Sequence, residues 1–380
     1  MTIGIDIRVL ARGTRTGIEE YTLNLLSRLL SMDKKIQYKL FYNAFNKINL
    51  NYDWLNVSNV ELKEFSYPNR FIFDPMAKFF GMPKIDRLLG GVDVFFAPHF
   101  LLTPISKKCR KITVFHDLSF EYFPDFFPAR KRFWHKFLNP AQRAKESGGI
   151  ITVSESTKND LVNWYKIPEG KIKTIYSGVG EEFKKTSLNT ETLLRIKEGY
   201  RLPEKFILYF GTIEPRKNLI GLIKAYEIFR EKYQLNDFKL LIAGSRGWLD
   251  KNIFSVANKS VRHQDIIFSG FVRPEDKVYL YNLASLFVYP SFFEGFGFPP
   301  LEAMSCGVPV VCSNTSSFPE VVGEAALMVD PYNFGEIAWA MKEILSDQNL
   351  ARDLADRGLE RAKKFSWDKC ARETLEFLTF

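Results

Sequence analysis

Two carboxylates eight residues apart, Glu294 and Glu302, bracket the run E-G-F-G-F-P-P-L-E. Glycines between two acids do not hold them on one shared proton, so the spacing does not suit general acid–base work. It suits hydroxyl recognition. A carboxylate accepts two hydroxyl hydrogen bonds at once, and charge-assisted bonds are the strong ones. One acid would hold a ribose and the other a hexose, with a diphosphate between them on backbone amides. Solvated acids on a purely structural strand–loop–helix unit are the alternative reading of the same spacing.

The elements that must position these acids can be read on either side. Leu286 to Tyr289 is an apolar strand, the helix opens at Pro299–Pro300, and Pro309 to Cys312 is a second strand. Proline is tolerated in a first helical turn because the N–H groups there have no intrahelical partner. The loop amides of Phe296, Gly297 and Phe298 then face the crevice at the strand's carboxyl end, where anions bind in open α/β sheets.

This region, continued by A-M-S-C-G-V-P-V-V, resembles the E-x7-E region of retaining glycosyltransferases of family 4, which have the GT-B fold. The resemblance implies that Glu294 contacts the donor sugar and Glu302 the ribose hydroxyls. It also implies an α/β architecture of two Rossmann-like, doubly wound domains facing each other across a cleft. The expected division is an acceptor-binding domain over 1–185 and a nucleotide-sugar domain over 186–364, with a C-terminal helix, 365–380, crossing back to the first.

A second basic motif lies upstream. The strand F-I-L-Y-F-G (206–211) runs into T-I-E-P-R-K-N, and a helix is expected from Asn218. Adjacent cations Arg216 and Lys217 at a helix N-terminus oppose the macrodipole unless an anion sits between them. A diphosphate resolves that conflict, gripped bidentately by the guanidinium and by the lysine as a point charge. Family 4 enzymes often show G-R-[LV]-x-x-x-K-G here. Lys217 falls on the family lysine, while Thr212 replaces the early arginine and Arg216 supplies its charge. E-P-R-K-N is frequent in a mannosyltransferase subgroup. Strand 239–245 ends at Gly244, and strand 265–272 resembles the one followed by nucleobase contacts, which makes Val272 and Arg273 base-pocket candidates.

The first half carries weaker matches. Strand Ile3 to Val9 leads to a helix near Gly17, the one turn glycine that fits the family's Gly-rich turn by the donor phosphates; Gly13 lies further back. His116, ending the apolar strand of 111–120, matches the family's strand-end histidine beside the donor sugar. His99 is a candidate for the acceptor pocket. Ser154 is expected to cap a helix over 157–165.

Length and composition bound the rest. A chain of 380 residues, 46% hydrophobic and 26% charged, fits two soluble domains. No apolar run reaches the roughly 18 residues of a spanning helix, and the N-terminus lacks a signal-peptide pattern, so a cytoplasmic location is expected. The four cysteines show neither C-x-x-C nor zinc spacing, no metal site is expected, and there is no D-x-D or P-loop motif. Residues 1–180 carry 27 Lys+Arg against 17 Asp+Glu, while the remainder is close to neutral. With no nucleic-acid-binding signature, this field suits an anionic membrane surface or a diphosphate-lipid acceptor. Segment 123–145 mixes Arg130, Lys131, Arg132 and Lys136 with Phe126, Phe127, Phe133, Trp134 and Phe137, as an interfacial helix does. Residues 181–204 read as a polar linker.

The expected activity is therefore retaining transfer of a hexose from a nucleotide sugar, GDP-mannose favoured over a UDP-sugar, without metal or cofactor. The acceptor is a lipid-linked or oligosaccharide intermediate at the inner face of a bacterial membrane. A UDP-sugar glucosyltransferase, a sugar-nucleotide epimerase and a non-catalytic glycan-assembly subunit are the alternatives. The last would be expected to have lost Glu294, Glu302 or Lys217, and all three are present.

Overall fold

A computed structural model describes residues 1–12, 16–46, 49–187 and 189–380, so Gly13 lies outside the described residues. The chain divides into two compact units. The first comprises Met1–Leu118, Arg130–Gly178 and Ser366–Phe380, and the second Ser119–Ala129 and Val179–Phe365.

The first unit is built on a seven-stranded sheet: β1 (Thr2–Asp6), β2 (Gln37–Asn43), β3 (Val60–Phe65), β4 (Val94–Ala97), β5 (Arg110–Phe115), β6 (Gly149–Thr152) and β7 (Ile172–Thr174). Their order is β3-β2-β1-β4-β5-β6-β7, and every pair is parallel. Central strands such as VFFA and GIIT are buried throughout, which is how a parallel strand covered on both faces reads in sequence. The helix Trp367–Thr379 packs on Gly17–Met32, with Trp367 edge-on to Tyr21 and Arg28 paired with Asp368 at 3.1 Å.

The second unit carries β8 (Lys205–Phe210), β9 (Phe238–Ala243), β10 (Ile266–Gly270), β11 (Leu286–Tyr289), β12 (Val310–Ser313) and β13 (Leu327–Val329). They form a parallel sheet in the order β10-β9-β8-β11-β12-β13. The strand order reverses between β8 and β11, and ligands of doubly wound sheets bind outside the carboxyl ends at such a point.

Several boundaries differ from the sequence reading. β1 ends at Asp6 because Asp6 folds back onto Arg8, its carboxylate accepting from the guanidinium at 2.7 Å, and residues Arg8–Arg12 form a tight helical turn. Residues 60–65, which show no clear pattern, are an edge strand whose side chains are mostly half-exposed. The supposed linker contains the helix Thr190–Gly199, capped by Asn189. Segment 123–145 is not one helix. It is a short turn, Pro124–Phe126, followed by helices Ala129–Leu138 and Pro140–Glu146. Phe126 and Phe127 pack within the second unit, on Phe292 and Trp248 respectively, and residues 119–129 go with that unit rather than with the first. Ser154 caps the helix Glu155–Tyr165 as its position predicts, accepting from the Thr157 amide at 3.1 Å.

Candidate active site

The loops leaving β8 and β11 meet at the reversal point of the second sheet. After β8, Pro215–Lys217 forms one tight turn, and Asn218 caps the helix Leu219–Tyr233. Asn218 accepts from the Gly221 amide at 3.2 Å and donates to the Pro331 carbonyl at 2.7 Å. Arg216 and Lys217 are therefore fixed in the turn ahead of the helix, not in its first turn.

Both cations are directed at Glu294 in the loop after β11. Lys217 Nζ lies 2.5 Å from Glu294 Oε1, and Arg216 Nη1 lies 2.9 Å from Oε2. Ser291 Oγ donates to Oε1 at 2.8 Å. The Tyr289 hydroxyl accepts from Lys217 at 2.7 Å and reaches Oε1 at 3.3 Å. A second buried acid, Glu214, accepts from Arg216 Nη2 at 2.9 Å, so the guanidinium sits between two carboxylates. Tyr209 and Tyr289 stack alongside the cluster, centroids 5.4 Å apart.

The electrostatics follow from this geometry. Burial pushes the Glu294 carboxyl up, but the Arg216 and Lys217 charges outweigh it and hold the group down at about 2. The Lys217 ammonium is lowered from its ordinary value by burial and by Arg216, against the pull of Glu294 and Glu214. Two cations and two acids thus neutralise each other in a mostly buried cluster.

The rest of the Glu294 loop is held from β12. Ser316 accepts from the Glu294 amide at 3.0 Å, and Ser317 donates to the carbonyls of Glu294 and Phe296 at 3.0 and 2.8 Å. The helix begins at Phe298. Because Pro299 and Pro300 carry no amide hydrogen, the donors of this turn are the amides of Phe296, Gly297 and Phe298. Gly297 has φ +102°, and a Cβ there would come within 3.1 Å of the Phe318 ring. The Phe296 side chain is core, packed on Phe298 and Phe365.

Glu302 is buried one turn into that helix. Its carboxylate accepts from Lys277 Nζ and from the Tyr281 hydroxyl, each at 2.7 Å. Lys277 is itself flanked by the rings of Phe183 and Phe210, at 5.1 and 5.0 Å. Gly244 ends β9 with φ +137°; a Cβ would lie 2.1 Å from the Gly211 carbonyl oxygen, so only glycine lets these two strand ends meet. Val272 is buried. The Arg273 amide donates to the Tyr200 hydroxyl at 3.3 Å, and its side chain pairs with Asp276. Asp276 also receives Arg195 and Tyr200, at 2.8 and 2.6 Å. Burial raises this carboxyl, and the three donors outweigh that and hold it at about 2.

Gly17 and His116 belong to the first unit. Gly17 is the exposed first residue of its helix, with open space where a Cβ would stand. Thr16 and Glu19 close a capping box there. His116 follows β5; its Nε2 lies 2.7 Å from the Pro98 carbonyl oxygen, and a carbonyl only accepts, so Nε2 carries the proton. The ring stands edge-on to Tyr21 at 4.9 Å and 5.9 Å from the ring of His99. Burial lowers its pKa, which keeps the imidazole neutral with Nδ1 as the acceptor.

Sequence reasoning did not single out Glu214, Tyr289, Ser291, Lys277, Tyr281 or Asp276. The run S-N-T-S-S after β12 was a readable signal, since short hydroxyl side chains are loop-to-backbone donors. A single lysine at 277 gave none.

Comparisons with known proteins agree with this architecture. The two parallel α/β sheets match sucrose-phosphate synthase from Thermosynechococcus elongatus with a TM-score of 0.76, at 18% identity over 99% of this chain and 98% of that one. This is the two-domain α/β fold of the GT-B class. The family description Glycosyltransferase Family 4 matches residues 15–183, and Glycosyl transferases group 1 matches residues 191–361. O-antigen chain mannosyltransferase B of Escherichia coli is 36% identical over 284 residues, 74% of this chain and 73% of that protein. The serotype-specific mannosyltransferase WbdA of Escherichia coli is 32% identical over 271 residues, 71% of this chain but only 33% of that longer protein. The chain belongs to glycosyltransferase family 4 and is a glycosyltransferase.

Proposed function

We propose that this protein transfers mannose from GDP-mannose, with retention at the anomeric carbon, to a lipid-linked or polysaccharide acceptor in the assembly of a bacterial O-antigen-type glycan. The observation that carries the reading is the convergence of Arg216 and Lys217 on Glu294 at the reversal point of the second sheet. Support for the sugar comes from relatives whose names specify mannosyl transfer to O-antigen chains.

Glu294 is paired with the cations that a donor diphosphate would use. An arriving diphosphate, with its β-phosphate near Arg216 and Lys217, takes over their hydrogen bonds and leaves the carboxylate to accept from hexose hydroxyls. Glu302, oriented by Lys277 and Tyr281, accepts from the ribose, and the amides of Phe296, Gly297 and Phe298 complete the anion site. Gly244, Val272 and Arg273 border the base. Charge then develops on the departing diphosphate between fixed donors, which is where preorganised cations lower a barrier most. His116 and Gly17 serve from the first domain, the histidine as a neutral partner for a sugar hydroxyl. No carboxylate pair is assigned as a nucleophile, so the leaving diphosphate's own face receives the acceptor hydroxyl. The reaction runs without a metal, at the cytoplasmic side of the membrane.

The test is incubation of the purified protein with radiolabelled GDP-mannose or UDP-glucose, without added metal, and a synthetic mannosyl-lipid acceptor, with NMR of the product's anomeric proton. Transfer from GDP-mannose with an α-linkage supports the reading. Transfer from UDP-glucose alone overturns the donor, and an inverted product overturns retention.

A further inference from the structure

Residues 69–80 form two wide helical turns, Asn69–Phe73 and Met76–Phe80, in the first unit. The segment is anchored: Phe73, Asp74 and Ala77 are buried, and Phe73 lies against Phe41 and the Arg8 guanidinium. Yet the rings on either side of these anchors are turned outward. Phe71 is 87% exposed, Phe79 72% and Phe80 77%. Three exposed aromatic side chains on one anchored segment mark a contact surface, unlike the scattered apolar residues any surface shows.

The helix Ala129–Leu138 extends the surface. Phe137 meets the Phe79 ring at 6.4 Å, and Lys78 Nζ stands 5.9 Å from the Phe137 centroid. One helical turn before Phe137, Phe133 is 69% exposed, so it shares that face. The helix carries Arg130, Lys131, Arg132 and Lys136, all exposed, and no acidic residue.

We infer that this face, with the Phe71–Phe79–Phe80 knob at its centre and the basic helix Ala129–Leu138 as its collar, docks the protein on a bilayer bearing anionic lipid. Aromatic rings enter the boundary between headgroups and acyl chains, and the cations meet lipid phosphates. A second copy of the chain is disfavoured as the occupant because the collars would repel each other. The inference does not depend on the donor's identity.

The test is co-sedimentation with vesicles of 30:70 phosphatidylglycerol:phosphatidylcholine and of phosphatidylcholine alone. Unchanged protein is expected to partition at least tenfold more strongly to the anionic vesicles. Phe71→Ser/Phe79→Ser/Phe80→Ser and Arg130→Glu/Lys136→Glu should each lower that partition at least tenfold, with unchanged melting temperature; only the exposed surface is altered. Equal partition to both vesicle types, none to either, or unaltered partition in both folded variants overturns the inference. So does a monomer–dimer change in light scattering that the aromatic variant abolishes while lipid partition stays the same.

Discussion

Lys217 Nζ and Glu294 Oε1 stand 2.5 Å apart although they come from loops 77 residues apart in sequence. One residue was expected to hold phosphate and the other sugar, and in the structure each is the other's partner. If the donor binds here as proposed, its two halves cannot bind independently. Lys217→Met takes one of the two cations from Glu294 and leaves Arg216 to balance its charge. It should weaken GDP binding roughly 10- to 100-fold, the worth of a charged hydrogen bond, and lower stability by about 3 kcal/mol because a buried pair is broken. Calorimetric titration and thermal melts check both effects. GDP affinity within twofold of the unchanged protein would refute the role of the lysine.

If Glu302 holds the ribose as proposed, Lys277 acts on that sugar by orienting the carboxylate. Lys277→Met keeps a long apolar stem between Phe183 and Phe210 while removing the 2.7 Å ion pair. The expected result is a loss of about tenfold in GDP affinity with the preference for ribose over 2′-deoxyribose reduced. If dGDP and GDP remain as well separated as before, Glu302 is not positioned by this lysine.

Acid should destabilise the protein in two stages. His135 is depressed by burial to about 4 and His116 is lowered by the same cause. The unfolded chain therefore takes up protons below about pH 6.5 that the folded chain refuses, costing up to about 1.4 kcal/mol per pH unit for each group. Glu294 adds the second stage. Its carboxyl is held at about 2 against an ordinary 4.5, so its contribution is complete above 4.5 and is lost as pH falls toward 2. Urea midpoints at pH 7.5, 6, 5 and 4 measure the first stage. A slope between pH 6 and 5 unchanged in His135→Asn would show that His135 is not its source.

Gly244→Ala tests the junction of β8 and β9. A methyl group 2.1 Å from the Gly211 carbonyl oxygen cannot be accommodated without parting the strand ends. The expected cost is at least about 3 kcal/mol, with nucleotide binding lost alongside. A melting temperature within a few degrees of the unchanged protein would contradict the apposition.

How much of this was legible depended on what each residue does locally. Buried parallel strands announce themselves because both faces are apolar, so β8, β9 and β11 lie close to where their sequences place them. β3 does not, since an edge strand with half-exposed side chains has no such contrast. The E-x7-E run and the E-P-R-K-N turn exposed Glu294, Glu302, Arg216 and Lys217 by their chemistry, yet spacing gave no hint that three of them share one hydrogen-bond cluster. That depends on β8 and β11 being neighbours, a property of topology. Lys277 and Asp276 were invisible for the same reason: Lys277 meets Glu302 25 positions away, and Asp276 meets Arg195 81 positions away. The run of 123–145 hid its break into separate elements, because interleaving looks alike where Phe126 and Phe127 pack on neighbouring loops and where Phe133 is exposed.

The most direct measurement is the affinity of GDP and GDP-mannose for the unchanged protein and for Glu294→Gln, by isothermal titration. If Glu294 competes with the diphosphate for Arg216 and Lys217 and then receives the hexose, the variant should bind GDP several-fold more tightly. It should also lose the added affinity that mannose confers. Weaker GDP binding in Glu294→Gln, with the mannose increment intact, would contradict the account at its centre.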